Sequence, residues 1–352
     1  MTLDQLPDKT GEPSFENLLA VLRRQVPSRP TLFEFFLNQR LYDRLAPSFQ
    51  AQAAASYANQ RQVMRAFYRV GYDFANVIIP GFEFPSERIA GTRTISINQG
   101  GLIHDRASFE RYPWPDPESG DYAILDALSA EMPAGMKLIG YGPNGVLENA
   151  IQVVGYETLC YLLADDPELA TMIFAEIGER LVRYYQIVAA HPAVGACIDN
   201  DDWGFKTQTM FSPRQMRQYV FPWHQRIVET IHAAGKPVIL HSCGHFDRIL
   251  EDMVAMGIDG RHSYEDNILP VEQAYALHID KFAILGGIDL DFICRASPEA
   301  VYQRAQKLLV QSADRGGYAL GTGNSVPDYV PDQNYFAMTR AALEFRAGKR
   351  NE

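Results

Sequence analysis

Eight short apolar runs recur along the chain with room for a helix between most neighbours: "PTLFEFF" (30–36), "YDFANVIIP" (72–80), "MKLIGYG" (136–142), "VGACIDN" (194–200), "KPVILHS" (236–242), "GIDGRHS" (257–263), "KFAILGG" (281–287) and "GYALGTG" (317–323). The intervening segments 47–70, 121–131, 167–190, 212–233, 244–256 and 297–314 carry apolar residues at three- and four-residue spacing, the mark of helices with one buried face. Ser212-Pro213 and Ser297-Pro298-Glu299 open two of them with a serine cap and a proline in the first turn. A strand that is apolar throughout is covered on both faces, and strands joined by crossover helices run parallel. Eight such units are the number that closes on itself, so the chain is predicted to be α/β, a (β/α)8 TIM barrel, with an open doubly wound sheet as the competing arrangement.

The 352 residues fit one barrel domain spanning 1–352, with a helical N-terminal extension over 1–29. The stretch 81–120, "GFEFPSERIAGTRTISINQGGLIHDRASFERYPWPDPESG", is longer than a strand-to-helix connection needs, and is predicted to be an insertion over one mouth of the barrel. A formal charge of -11, from 43 acids and 32 bases with no basic cluster, excludes a nucleic-acid footprint. No run of about 18 apolar residues offers a membrane span, and "MTLDQLPDKTGEPSF" has neither the basic nor the apolar region of a signal peptide. A cytoplasmic location is expected. Cys160, Cys197, Cys243 and Cys294 contain no CxxC pair, so they are expected to be reduced thiols. Serine hydrolase, HExxH and EF-hand patterns are absent, and the glycine loops "GGID" (286–289) and "GTGNS" (321–325) complete no nucleotide fingerprint.

In a barrel enzyme the chemistry sits where strands end, because side chains there converge on one cavity. The ends are polar in nearly every unit: Glu34 in the first, Tyr141 and then Glu148 of "PNGVLE" after the third, Asp199, Asn200, Asp201 and Asp202 in the fourth. His241 and Cys243 follow in the fifth, His262, Tyr264 and Glu265 in the sixth, Asp289 in the seventh, Thr322 and Asn324 in the eighth. Exposed loops and helix caps produce the same polarity without a site. His241 and Cys243 lie two apart and so face the same way, and imidazole with thiolate is half of a zinc ligand set. A lone H-x-C is more often the trace of a hydrogen-bonded histidine beside a small buried thiol.

The segment "FSPRQMRQYVFPWHQRIVETIHAAGKPVILHSCGHFDRILEDMVAMGID", with "ILGGID" and the opening "RQVPSRPTLFEFF", resembles the uroporphyrinogen decarboxylase superfamily, and within it the cobalamin-dependent methyltransferase branch. The resemblance runs from about residue 14 to 347 and implies a (β/α)8 barrel. It implies one of two chemistries. The decarboxylase removes carboxylates from a tetrapyrrole that it grips with an arginine-rich segment of the "RQAGRYLPEY" kind, where this chain reads "TLFEFFLNQRLYDRLAP" with Glu34. The methyltransferases hold zinc through an H-x-C motif, matched by His241 and Cys243, and a distant cysteine near the last strand. Here that region reads "GTGNSVPDYVP", so an oxygen group, Glu265, Asp289 or Asn324, is expected to replace the cysteine. The resemblance thus implies methyl transfer between a small O- or N-methylated donor, or a thiol acceptor, and a corrinoid. Because the chain lacks a "DxHxxG" signature, the corrinoid is expected on a partner carrier protein. Glu148, Asp199, Tyr264 and Glu265 are then expected to move protons, and Glu34, Tyr141, Asn200, Asp289 and Asn324 to contact substrate. A homodimer would suit the superfamily. The alternatives are a cofactor-free tetrapyrrole decarboxylase and a barrel that binds tetrapyrrole or corrinoid without chemistry.

Overall fold

A computed structural model describes residues 11–47, 56–86, 98 and 101–348. Each of the eight apolar runs contains a strand: β1 (Thr31–Leu32), β2 (Phe74–Val77), β3 (Lys137–Tyr141), β4 (Val194–Asn200), β5 (Val238–His241), β6 (Gly260–His262), β7 (Ala283–Leu285) and β8 (Tyr318–Leu320). They form one parallel sheet in the order β1-β8-β7-β6-β5-β4-β3-β2, curled into a (β/α)8 barrel. All seven residues of β4 are buried, which is why it reads as apolar almost to its end.

β1 and β2 share no backbone ladder among the described residues, and side chains bridge them. Thr31 Oγ1 donates to Asp73 Oδ2 at 2.8 Å, Asn76 Nδ2 donates to the Glu34 carbonyl at 3.0 Å, and the Phe33 and Phe74 rings lie 5.5 Å apart. The helix Glu16–Leu22 lies under the opposite end. A Cβ on Gly195, at the start of β4, would stand 2.4 Å from the Phe15 ring, and one on Gly260 would stand 2.8 Å from Leu22 Cδ2. Leu18 and Val21 have no exposure, so this helix plugs the barrel floor and leaves the other end to open.

Serine caps fall where the sequence places them: Ser212 Oγ accepts from Gln215 N, and Ser297 Oγ from Ala300 N. The first of these helices is not regular. Met216–Val220 forms a π turn before Phe221–Ala233, beside Pro222, which has no N–H to give to the preceding turn. After β3 come three helices, Val146–Val154, Tyr156–Asp165 and Pro167–Ala190. The last is tied to the strand ends by Tyr184, which donates to the Tyr141 carbonyl, and Tyr185, which donates to that of Ile198, each at 2.6 Å. Of the predicted insertion, 87–97, 99 and 100 lie outside the described residues, as do 48–55 of the segment 47–70. Its remainder includes the helix Arg106–Arg111 and packs on the helices after β3: the N–H groups of Leu102 and Ile103 donate to the Val153 carbonyl, and Trp114 lies against Arg180. Among the described residues no helix is long and apolar enough to cross a membrane.

Candidate metal centre at the barrel mouth

Beyond the sheet, the chain leaving β4 and the chain leaving β5 continue side by side. Asp201 N donates to the His241 carbonyl at 3.0 Å, Trp203 N to Ser242 Oγ at 3.1 Å and Gly204 N to the Cys243 carbonyl at 3.2 Å. Their contact point is a pair of glycines: a Cβ on Gly244 would lie 2.5 Å from Gly204 Cα, and Gly244 has φ +118. Only glycine serves there. Gly244→Ala should therefore cost about 1–3 kcal/mol in urea unfolding, through backbone strain and overpacking.

This pairing brings Asp202, His241 and Cys243 together, with one ligand atom from each inside a sphere of separations no larger than 4.8 Å. Asp202 Oδ1 accepts the Cys243 N–H at 2.8 Å. Burial, and after it the Asp202 carboxylate, pushes the Cys243 thiol up to about 12, while Ser263 Oγ at 3.4 Å opposes this. Asn324 Nδ2 donates to Cys243 Sγ at 3.1 Å, so the residue from the last strand's loop touches the sulfur through its amide nitrogen.

The imidazole's orientation follows from its neighbours. His241 Nδ1 lies 2.8 Å from His262 Nδ1, and His262 Nε2 lies 3.3 Å from the Thr322 carbonyl. Burial holds both rings neutral, lowering His241 to about 4 and His262 well below the usual imidazole range. A carbonyl only accepts, so His262 carries its hydrogen on Nε2, and the bond between the rings uses the hydrogen on His241 Nδ1. His241 Nε2 is left with its lone pair, the form that binds a metal.

Glu34 holds the far end of this chain. Its Oε1 accepts the Thr322 N–H at 2.7 Å, and its Oε2 lies 2.7 Å from Thr322 Oγ1. Thr322 Oγ1 is also 2.5 Å from the Asn324 carbonyl, which can only accept and so takes the single hydroxyl hydrogen. The hydrogen between Oγ1 and Glu34 then belongs to the carboxyl group, in keeping with the pKa of Glu34, which burial raises from 4.5 to about 8. A raised carboxyl contributes stability that is complete below pH 4.5 and lost as pH rises through about 8. Glu34→Gln reproduces the neutral pattern, and its stability relative to the parent should climb by on the order of 3–5 kcal/mol across that window in unfolding measured at several pH values.

The other polar strand ends divide. Glu148 is half-buried beside the centre, its pKa raised well above normal by desolvation, then by Asp201 and Asp202. Asp199 and Asp201 grip His224: Asp199 Oδ2 is 2.6 Å from Nδ1 and Asp201 Oδ2 is 2.8 Å from Nε2. Asn200 Oδ1 accepts from Gly142 N at 3.2 Å. Asp289 caps the helix Leu290–Arg295 through Phe292 N and accepts from Asp266 N, both at 2.9 Å. Glu265 is 3.5 Å from Lys206. Tyr264 is buried under Arg261. Tyr141 joins Phe35 and Phe36 in an aromatic wall, and the Phe35 ring is 4.7 Å from that of His241. Sequence reasoning placed Asp202 only within an acidic run and passed over His224, which sits inside a helix with nothing in its spacing to mark it.

The donor set fits a cation. Oxygen, nitrogen and sulfur in one group are acceptable to zinc at bond lengths of about 2.0–2.3 Å. A carboxylate and a thiol sharing a half-buried corner, with the Glu148 carboxyl close enough to feel Asp202, make the arrangement that a positive charge relieves.

Comparison with known proteins places the fold and family. The family model described as uroporphyrinogen decarboxylase (URO-D) matches residues 100–345. The methylated-thiol–coenzyme M methyltransferase of Methanosarcina mazei is 26% identical over 193 residues, 54% of this chain and 49% of that protein. The chain thus spans about half the length of that relative. The uroporphyrinogen decarboxylase of Anaeromyxobacter dehalogenans is 25% identical over 253 residues, 70% of each chain. The structure of a methyltransferase from Methanosarcina mazei superposes with a TM-score of 0.75 over 95% of this chain and 99% of that one, at 16% identity, a likeness of fold. With well over half of its length matched by the family model, the chain belongs to the uroporphyrinogen decarboxylase family.

Proposed function

We propose that this chain, acting as one barrel domain, is a zinc-dependent methyltransferase that moves a methyl group between a small substrate and a corrinoid presented by a partner protein. The observation that carries the reading is the Asp202–His241–Cys243 group at the barrel mouth. The name of the methyltransferase relative from Methanosarcina mazei supports the reaction class.

Asp202, His241 and Cys243 would hold the zinc, which as a Lewis acid supplies polarisation of the heteroatom bonded, or about to be bonded, to the methyl group. Asp202 here takes the place in the ligand set that the sequence assigned to Glu265, Asp289 or Asn324. Asn324 stabilises charge on the Cys243 sulfur by donating to it. His262 and Thr322 keep the His241 lone pair pointed away from the ring pair. Glu148, whose carboxyl burial and then Asp201 and Asp202 push well above the usual range, would be the group to return a proton to a leaving heteroatom. Phe35, Phe36 and Tyr141 wall off water beside His241.

The decarboxylase alternative needs free cations for a polyanionic substrate. In the corresponding segment Arg40 and Arg44 are both paired with Asp332, at 2.8 and 2.7 Å, which speaks against it. The test is to supply zinc-loaded protein with free cob(I)alamin and a panel of O-, N- and S-methyl compounds, and with methylcobalamin and thiols, following the corrinoid spectrum. Methyl transfer that disappears in Cys243→Ser is the expected result. Release of CO2 from uroporphyrinogen by metal-free protein would overturn the reading.

A further inference from the structure

Arg261 stands out among the buried groups. It lies on β6 next to His262, is 8% exposed, and has no carboxylate within ion-pair distance among the described residues. Its guanidinium is sandwiched between two rings, 4.6 Å from the Phe246 centroid and 4.7 Å from that of Tyr264. Ring faces partly compensate a cation, but they accept none of its N–H bonds. Arg261 Nε is buried with no hydrogen-bond partner, and so are Tyr264 Oη and His278 Nδ1. The guanidinium approaches the Tyr264 hydroxyl closely enough to oppose the burial that raises its pKa to about 12, yet the two form no aligned bond.

These three residues line the same cleft. The cleft is narrow, with an enclosed volume of about 30 Å3, and its apolar walls include Leu250, Ile268 and Leu269. Ser263, whose hydroxyl contacts Cys243 Sγ, lines it as well, so the cleft adjoins the metal group. Neither acid on its rim forms an ion pair with Arg261: Glu265 faces Lys206 at 3.5 Å, and Asp247, whose charge reaches Arg261 only from a distance, lies 3.4 Å from His245. A buried, unpaired cation costs free energy that an incoming anion recovers, and the planar guanidinium fork matches a carboxylate.

We infer that this cleft binds the carboxylate of a small organic acid on Arg261, with the acid's apolar body against Leu250, Ile268 and Leu269. It rests on the proposed function only in that the same molecule presents its reacting end to Asp202, His241 and Cys243. The substrate class is then a compact methylated, or methyl-accepting, monocarboxylate.

The test uses the full chain and propionate, with propionamide as its uncharged counterpart and ionic strength held constant with chloride. Propionate should raise the melting temperature in a saturable way, and propionamide should not. Arg261→Met, which keeps the stacking volume, should weaken propionate at least tenfold in calorimetric titration while zinc still binds. Cys243→Ser should lose zinc and keep propionate. Equal stabilisation by propionate and propionamide overturns the inference, as does equal propionate affinity in parent and Arg261→Met. Each result can occur with zinc binding intact or absent, so the cleft and the metal centre fail separately.

Discussion

Replacing His224 by leucine should destabilise the protein by about 3–5 kcal/mol, the cost of breaking a buried ion pair by deleting one partner. His224 is 1% exposed and meets a carboxylate at each ring nitrogen, Asp199 at 2.6 Å and Asp201 at 2.8 Å. A carboxylate accepts, so both nitrogens donate and the ring is an imidazolium. Burial by itself lowers the pKa, but Asp199 and Asp201 outweigh it and raise the ring from 6.5 to about 10. Leucine fills the space and leaves two acids buried without a counter-charge, one of which already has an oxygen, Asp199 Oδ1, with no partner.

The damage should spread along the structure. Asp201 also accepts from Leu147 N and Glu148 N at 2.8 Å each and from Trp203 Nε1 at 3.0 Å, so it fixes the start of the helix Val146–Val154 and a buried tryptophan. A raised histidine contributes stability that is complete below pH 6.5 and lost as pH rises through about 10. Urea unfolding followed by tryptophan fluorescence should therefore show the largest gap between parent and His224→Leu near pH 6, closing by pH 10. A gap below about 1 kcal/mol at pH 6, the scale of an ordinary hydrogen bond, would mean that the imidazolium is not paired as described.

The barrel was legible in the sequence because its cause is local. A strand covered on both faces must be apolar residue by residue, so each of the eight runs announced itself, β4 most clearly. Serine caps were legible for the same reason, since Ser212 and Ser297 answer to N–H groups three residues away. The site was legible only in part. His241 and Cys243 are neighbours on one strand end, but Asp202 joins them through a contact between loops, permitted by Gly204 facing Gly244 across 40 residues of sequence. No spacing rule encodes that approach. The roles of Glu34 and His224 depend on partners far away in the chain, Thr322 for one and Asp199 and Asp201 for the other, and so appear only once the barrel is closed.

The same dependence orders the expected losses of zinc affinity. Removing a partner behind a ligand typically costs 10–100-fold. His262→Phe, which keeps a ring beneath His241 but offers no acceptor for its Nδ1 hydrogen, should fall within that range in competition with a chromophoric chelator. His241→Ala and Cys243→Ser remove donors outright and should exceed about 100-fold, beyond the range for outer partners. Asp202→Asn tests the residue that the sequence did not single out. Its amide oxygen can still accept the Cys243 N–H, so the loop pairing and the unfolding midpoint should hold while zinc affinity drops with the lost charge. If Asp202→Asn bound zinc as tightly as the parent while Glu265→Gln did not, the third donor would be Glu265, and the loop contact through Gly204 and Gly244 would shape the mouth without building the metal site.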